Sequence, residues 1–482
     1  MKLPQFVTDQ FLAGHFRKGA GVTREIYSPS TGQLLALVND ASPMDLDEAV
    51  RGAKAVQREW FLAGPGYRSA TLRKMAQTIR DHAAELAQID TLDTGNPIDG
   101  MRFDANLAAA LVDYFAGIAT EVKGETIPQK DGRLTYVVRE PVGVVARLVA
   151  FNHPLLFACI KLAAPLAAGN AVIIKPSEET PLASLRIAQL CADIFPKGLV
   201  SVLTGGVALG EAICAHPGIA AVGLIGSVNT GRAVMRGAAS TIKHTQLELG
   251  GKNALVICPD ADVDAAVAGA IKGMNFGWTA GQSCGSTSRV LVHESLYPTV
   301  VDKLTAAIDS IELGDPLLAG TQMGALSTRG QYEKVTGFIK RALEAGAKIP
   351  TRQTQQTPNP KGFYVRPTLV TGIDETSEIA REEVFGPVLS VLRWKEEEDA
   401  ISLVNGLDVG LTASVWTESL DTALRLTSLI EAGYVWVNDS SDHYLGAPFG
   451  GVKQSGVGRE ECLDELLAYT EKKTVTLRPL KN

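Results

Sequence analysis

A chain of 482 residues exceeds what one compact core supports, so two or three domains are expected. Apolar content of 45% and charged content of 21% are ordinary for a soluble globular protein. The net charge of -7 argues against a general nucleic-acid or anionic-membrane binder, since both need a basic surface.

The first residues, Met1-Lys2-Leu3-Pro4-Gln5, lack the charged-then-apolar order of a signal peptide. Over residues 45–90 the pattern is helical. Leu46, Ala49, Val50, Ala53 and Val56 recur at helical spacing, and 72–89 repeats it up to the Thr94-Gly95-Asn96-Pro97 turn. Another helix is expected over 101–118. From 142 to 249, strand-like apolar runs (144–149, 171–174, 200–203, 220–225, 245–249) alternate with helical segments such as 181–194. Strands without polar alternation are buried on both faces, so this rhythm predicts a parallel sheet covered by helices. Nucleotides bind at the carboxyl ends of such strands. The longest nearly apolar stretch, 162–174, is broken by Pro165, Gly169 and Asn170 and is too short to span a bilayer.

A second α/β unit follows: strand 254–257, a helix over 262–275 with Asp262 as its N-cap, the loop holding Cys284, and strand 289–292. Alternation continues through strand 388–394, helix 397–404, strand 413–416, helix 422–430 and strand 434–438. Glu396-Glu397-Glu398-Asp399 reads as the solvated start of a helix. Two β-like segments, 121–139 and 473–480, fit neither unit. Unpaired edges of that kind find partners in another subunit.

The cysteines are Cys159, Cys191, Cys214, Cys258, Cys284 and Cys462. None forms Cys-x-x-Cys and no His stands at metal-ligand spacing, so no metal site is expected. Their scatter suits reduced thiols in a cytoplasmic protein. Cys284 stands apart, in Gly281-Gln282-Ser283-Cys284-Gly285, where small neighbours leave the thiol accessible. Glu248, in Glu248-Leu249-Gly250-Gly251-Lys252, closes a strand-like run at a Gly-Gly turn, where active sites collect. A nucleophilic thiol and a base for water are what a two-step covalent mechanism needs. The plain alternative is a buried small hydrophobe and a turn carboxylate.

The chain resembles the aldehyde dehydrogenase superfamily, in its non-acylating, NAD(P)-dependent branch, along nearly its whole length. The resemblance rests on Phe151-Asn152-His153-Pro154, Ile174-Lys175-Pro176-Ser177-Glu178-Glu179-Thr180-Pro181, Gly226-Ser227 with Gly231, Glu248-Leu249-Gly250-Gly251-Lys252, Gly281-Gln282-Ser283-Cys284 and Glu382-Glu383-Val384-Phe385-Gly386-Pro387, in the family's order. It implies an α/β fold: a Rossmann-like parallel-sheet cofactor domain (1–122 and 142–250), a second α/β catalytic domain (251–450) and a small β oligomerisation extension (123–141 and 466–482). A homodimer or homotetramer is implied as well.

By that resemblance Cys284 attacks an aldehyde, Asn152 and the Cys284 backbone N–H hold the oxyanion, and Glu248 activates water to hydrolyse the thioester. Without it, Asn152 reads as a turn residue before Pro154. Glu460 matches a position that relays protons with Lys175; it reads equally as a first-turn carboxylate. No Gly-x-Gly-x-x-Gly is present. Gly226, Ser227 and Gly231 instead let backbone approach a pyrophosphate at a helix N-terminus, unless they form a plain strand-to-helix turn. Lys175 and Glu178 are implied to bind the adenosine ribose, with Ser177, Gly210, Phe151 and Leu249 also on the cofactor and Glu383 and Phe385 at the nicotinamide ribose and ring. A carboxylate at Glu178 accepts bonds from a free 2′-hydroxyl and repels a 2′-phosphate, which favours NAD over NADP.

The substrate is less defined. His153 stands where many members carry an aromatic residue, and faces a substrate tunnel or packs internally. Trp278, Tyr444 and Phe449 line the pocket mouth or belong to the core. No full cage for a cationic aldehyde is evident. The rival readings are a coenzyme A-acylating semialdehyde dehydrogenase, against which Glu248 speaks, and a catalytically silent oligomeric binding protein.

Overall fold

A computed structural model describes residues 4–478 except 131, 353, 355 and 356. Two sheets organise the chain. In the first, five parallel strands run in the order Val200–Val202, Ala171–Lys175, Val144–Leu148, Ala221–Gly226, His244–Leu249. Gln10–Leu12 and His15–Arg17 extend one edge antiparallel, and Gly456–Val457 caps the other. Strands Val144–Leu148 and Ala171–Lys175 are buried at every position, as their unbroken apolar runs require.

The second sheet is wholly parallel: Thr368–Val370, Val388–Trp394, Arg289–His293, Ala254–Ile257, Thr412–Trp416, Tyr434–Val437. Asp262 caps helix Val263–Gly273 by accepting from the Ala265 N–H at 3.0 Å. The acidic run starts helix Glu397–Asn405 through a capping box between Glu396 and Asp399. Among the described residues no helix is long and apolar enough to cross a membrane.

Two sequence expectations change. The helical pattern over 72–89 is two helices, Pro65–Asp81 and Ala83–Thr94, interrupted at His82. The β segments 121–139 and 473–480 are not lone edges. Thr470–Leu477 pairs antiparallel with Leu134–Pro141 over eight residues, and Leu134–Pro141 pairs in turn with Glu125–Ile127. The chain therefore satisfies most of those edges itself, leaving one free side on each outer strand. Residues 479–482 of the expected C-terminal segment lie outside the described residues. Leu466 and Tyr469, just before that sheet, are buried in the core of the first unit.

Candidate active site

Four strand ends of the first sheet build one cleft of about 760 Å³. Strand Val144–Leu148 delivers Phe151 and Asn152, and Ala171–Lys175 delivers Lys175, Ser177 and Glu178. Ala221–Gly226 ends in Gly226 and Ser227, and Glu248 lies within His244–Leu249. Gly210, Glu383, Phe385 and Cys284 complete the lining among the sequence-predicted residues. Phe151 and Phe385, 234 positions apart, thus line one cleft, whose first-sheet side is gathered because parallel strands share one carboxyl edge.

Ser227 caps helix Val228–Ala239, its Oγ accepting from the Thr230 N–H at 3.2 Å. That helix N-terminus faces the cleft, a setting that favours an anion. Gly231 and Leu249 do not line it. Gly231 lies inside the helix, where a Cβ would come within 2.5 Å of Leu249 Cδ1. Both therefore serve the packing of helix on strand.

Lys175 is buried and donates to Glu178 at 3.3 Å and to the Pro176 carbonyl at 3.2 Å. Burial lowers its pKa, opposed by Glu178. Across the cleft, Glu383 Oε1 accepts from the Gly251 N–H at 3.2 Å. A Cβ on Gly250 would stand 2.2 Å from Glu383 Oε2, and one on Gly251 2.5 Å from Asn253 Oδ1, so both glycines after Glu248 sit in close quarters. Burial raises the Glu383 pKa, while Lys334 and the Gly251 N–H act against it. Phe151 and Phe385 meet edge-on at 5.7 Å. Gln331 fixes the Phe385 segment by donating to the Val384 carbonyl at 2.9 Å. Gln331 and Lys334 line the cleft from one turn of helix Arg329–Glu344, unforeseen in sequence although their i, i+3 spacing puts them on one face.

On the cleft floor, Cys284 is partly exposed while the other five thiols are buried. Burial first, then the charge of Glu248, pushes the Cys284 thiol well above its ordinary range. Both effects disfavour the thiolate before a base takes the proton. Glu248 is itself pushed well up, by burial and then by Glu460, and its Oε1 has no partner. The Asn152 side chain donates to the Gln282 carbonyl at 2.9 Å, tying the Asn152 loop to the Cys284 loop, and its Oδ1 is unpartnered.

The predicted relay between Glu460 and Lys175 is not formed. Glu460 is buried against Lys161 Nζ at 2.8 Å and Arg147 Nη2 at 2.6 Å, whereas Lys175 holds Glu178. Lys161 also lies 3.5 Å from Glu465, and Arg147 bonds the Tyr469 hydroxyl. Lys161 had a sequence signal: one cation inside the otherwise apolar helix Pro154–Ala168 needs a buried partner.

Comparison with known proteins identifies the family. The aldehyde dehydrogenase family model matches residues 16–475. The aldehyde dehydrogenase tropH of Talaromyces stipitatus is 45% identical over 463 residues, covering 94% of this chain and 90% of that protein. Among solved structures, PnpE of Pseudomonas sp. WBC-3, in complex with nicotinamide adenine dinucleotide, superposes with a TM-score of 0.95 at 37% identity, over 98% of this chain and 97% of that one. The betaine aldehyde dehydrogenase betB of Staphylococcus aureus, in complex with NAD+, gives 0.95 at 32% identity, over 98% and 95%. The chain belongs to the aldehyde dehydrogenase family.

Proposed function

We propose that this protein is an NAD-dependent dehydrogenase that oxidises an aldehyde to a carboxylic acid through a covalent adduct on Cys284. The carrying observation is the convergence of Cys284, Glu248 and Asn152 on the floor of one cleft. The residues present fit a dinucleotide. The Ser227 helix N-terminus suits the pyrophosphate, Glu178 the adenosine ribose, and Glu383 with the Phe151–Phe385 pair the nicotinamide end. Arg24, near Gly206 and Glu178, is held by both oxygens of Asp40 at 2.7 and 2.8 Å rather than free to meet a 2′-phosphate, which supports NAD over NADP.

Glu248, facing a protonated thiol, is placed to take its proton as Cys284 Sγ bonds to the aldehyde carbon. The Asn152 side-chain N–H, with the Cys284 backbone N–H, stabilises the resulting oxyanion. NAD, when bound, supplies the hydride acceptor. Glu248 gives that first proton up to solvent, then removes a proton from water, whose oxygen attacks the thioester carbonyl; the acid leaves, and Glu248 returns the water proton to the departing Cys284 sulfur. The free thiols fit a cytoplasmic setting, and the free edges of Thr470–Leu477 and Glu125–Ile127 fit assembly into a homodimer or homotetramer.

An assay of NADH and product over aromatic and aliphatic aldehydes tests the reading. One NADH and one free acid per aldehyde are expected. Acyl-coenzyme A as the product, or NADH formation absent with every aldehyde, would overturn it.

A further inference from the structure

The second sheet carries a crevice of its own, of about 430 Å³, which shares no lining residue with the cofactor cleft. Its walls come from the short helix Glu378–Arg381, helix Glu397–Asn405 and the paired strands Arg289–His293 and Val388–Trp394. Arg289, five residues after Cys284, is buried at its edge. Only backbone carbonyls hold this guanidinium. Nε donates to Lys252 at 2.8 Å, Nη1 to Leu403 at 2.8 Å and Nη2 to Val404 at 3.5 Å. A guanidinium has five N–H groups, so one stays unused on each Nη.

Arg381, exposed on the same crevice, donates to the Glu375 carbonyl at 3.3 Å. Among the described residues neither arginine stands within ion-pair distance of a carboxylate. Burial, and then the charge of Arg381, pull the Arg289 pKa down to about 10, as two uncompensated cations facing each other require. Next to Arg289, the Lys252 amine is buried with no hydrogen-bond partner, and burial and then Arg289 lower its pKa to about 7. Glu294, Glu375 and Asp399 also line the crevice, but Asp399 is spent on its helix cap, accepting from the Glu396 N–H at 2.9 Å. Positive charge is thus left over at one end, beside apolar surface from Trp394, Leu403 and Leu407.

We propose that this crevice is a second ligand site, which holds an oxyanion of the phosphate class between Arg289 and Arg381, as the free ion or as the phosphoryl group of a small ester. A tetrahedral oxyanion offers oxygens to two guanidiniums at once, whereas one guanidinium fork already occupies both oxygens of a carboxylate. The apolar side of the crevice suits the organic part of an ester.

The test is calorimetric titration with inorganic phosphate and with phenyl phosphate at constant ionic strength. The protein is first saturated with NAD, which fills the pyrophosphate position of the cleft. One site per chain is expected, with a Kd of about 1 mM or below for at least one probe. Tighter binding of phenyl phosphate identifies the ester as the source, and equal or weaker binding the free ion. Arg381→Gln is expected to weaken binding about tenfold or more, through loss of a charge-assisted hydrogen bond. Glu375→Gln, which removes a negative charge from the wall, is expected to tighten it about twofold. Both side chains are exposed, so the variants keep the fold. No saturable binding of either probe up to about 10 mM, or an affinity that Arg381→Gln leaves unchanged, would overturn the proposal. Neither residue lines the cofactor cleft, so the outcome does not depend on the dehydrogenase reading.

Discussion

Glu248 and Glu460 are both buried carboxyls beside the same edge of the first sheet, and they titrate in opposite directions. Glu248 opens onto the cleft with an unpartnered oxygen, so burial and then the charge of Glu460 raise its pKa. Burial acts on Glu460 as well, but Lys161 and Arg147 together outweigh it and hold the pKa below its ordinary value. One region keeps a carboxyl reactive by withholding partners; the other fixes a carboxylate by supplying two cations. Residue type and depth are shared. The partners decide what each group does.

The largest effects test the reactive side. Cys284→Ala is expected to abolish aldehyde-dependent NADH formation altogether in a steady-state assay, and retained activity would end the nucleophile assignment. Glu248→Gln is expected to lower steady-state turnover by about 10²–10⁴-fold. A rapid-mixing experiment should still show a burst of NADH near one equivalent per site, since a thiol can lose its proton to solvent while thioester hydrolysis needs the base. Disappearance of burst and turnover together would mean that Glu248 acts chiefly on Cys284.

The next substitution tests the fixed side. Glu460→Gln leaves Lys161 and Arg147 buried with one charge missing. Removing one partner of a buried pair costs about 3–5 kcal/mol, so the unfolding midpoint in denaturant should fall clearly. The pH dependence has a defined sign. A carboxyl whose pKa is lowered on folding adds stability above its unfolded value, about 4.3, and that stability is lost as pH falls through the folded value. Glu460→Gln should therefore flatten part of the acid-side loss. An unchanged midpoint and an unchanged acid limb would show that the cluster does not fix the carboxylate.

The contrast also shows what a sequence can carry. The parallel-sheet rhythm was legible because buried strands need continuous apolar runs, and many cleft residues because they end or follow such a strand. Cys284 and Glu248 were singled out by their local settings and Asn152 by the family resemblance, and the three line one cleft. What failed was pairing across the chain. Glu460 was matched to Lys175, yet Lys161 reaches it from a helix whose other residues gave no reason to look for charge. The segments at 121–139 and 473–480 looked like lone edges because their mutual register, Leu134 against Leu477 through Pro141 against Thr470, spans over 300 residues. Gly231 and Leu249 were assigned to the cofactor, since a glycine required for packing and one required for ligand approach look alike in sequence.

Glu465 sharpens the comparison with the smallest effect. It is buried in the same cluster, 3.5 Å from Lys161, and Oε2 accepts from the Glu461 N–H at 2.8 Å while Oε1 lacks a hydrogen bond. Burial raises its pKa, and the neighbouring Glu460 adds to the rise against Lys161 and Arg147. Electrically Glu465 therefore behaves as Glu248 does, although it shares a lysine with Glu460. Glu465→Gln removes a carboxyl whose charged form burial disfavours, keeping its shape, and should change stability by about 1 kcal/mol or less. Its pH signature is opposite to that of Glu460. A carboxyl raised on folding binds more protons folded than unfolded, so stability falls as pH rises from the unfolded value, about 4.3, toward the folded one. Glu465→Gln should remove that fall and leave the acid limb as in the wild type. Equal losses for Glu460→Gln and Glu465→Gln would mean that both carboxyls are ionised partners of Lys161, and that partner number rather than burial divides this cluster.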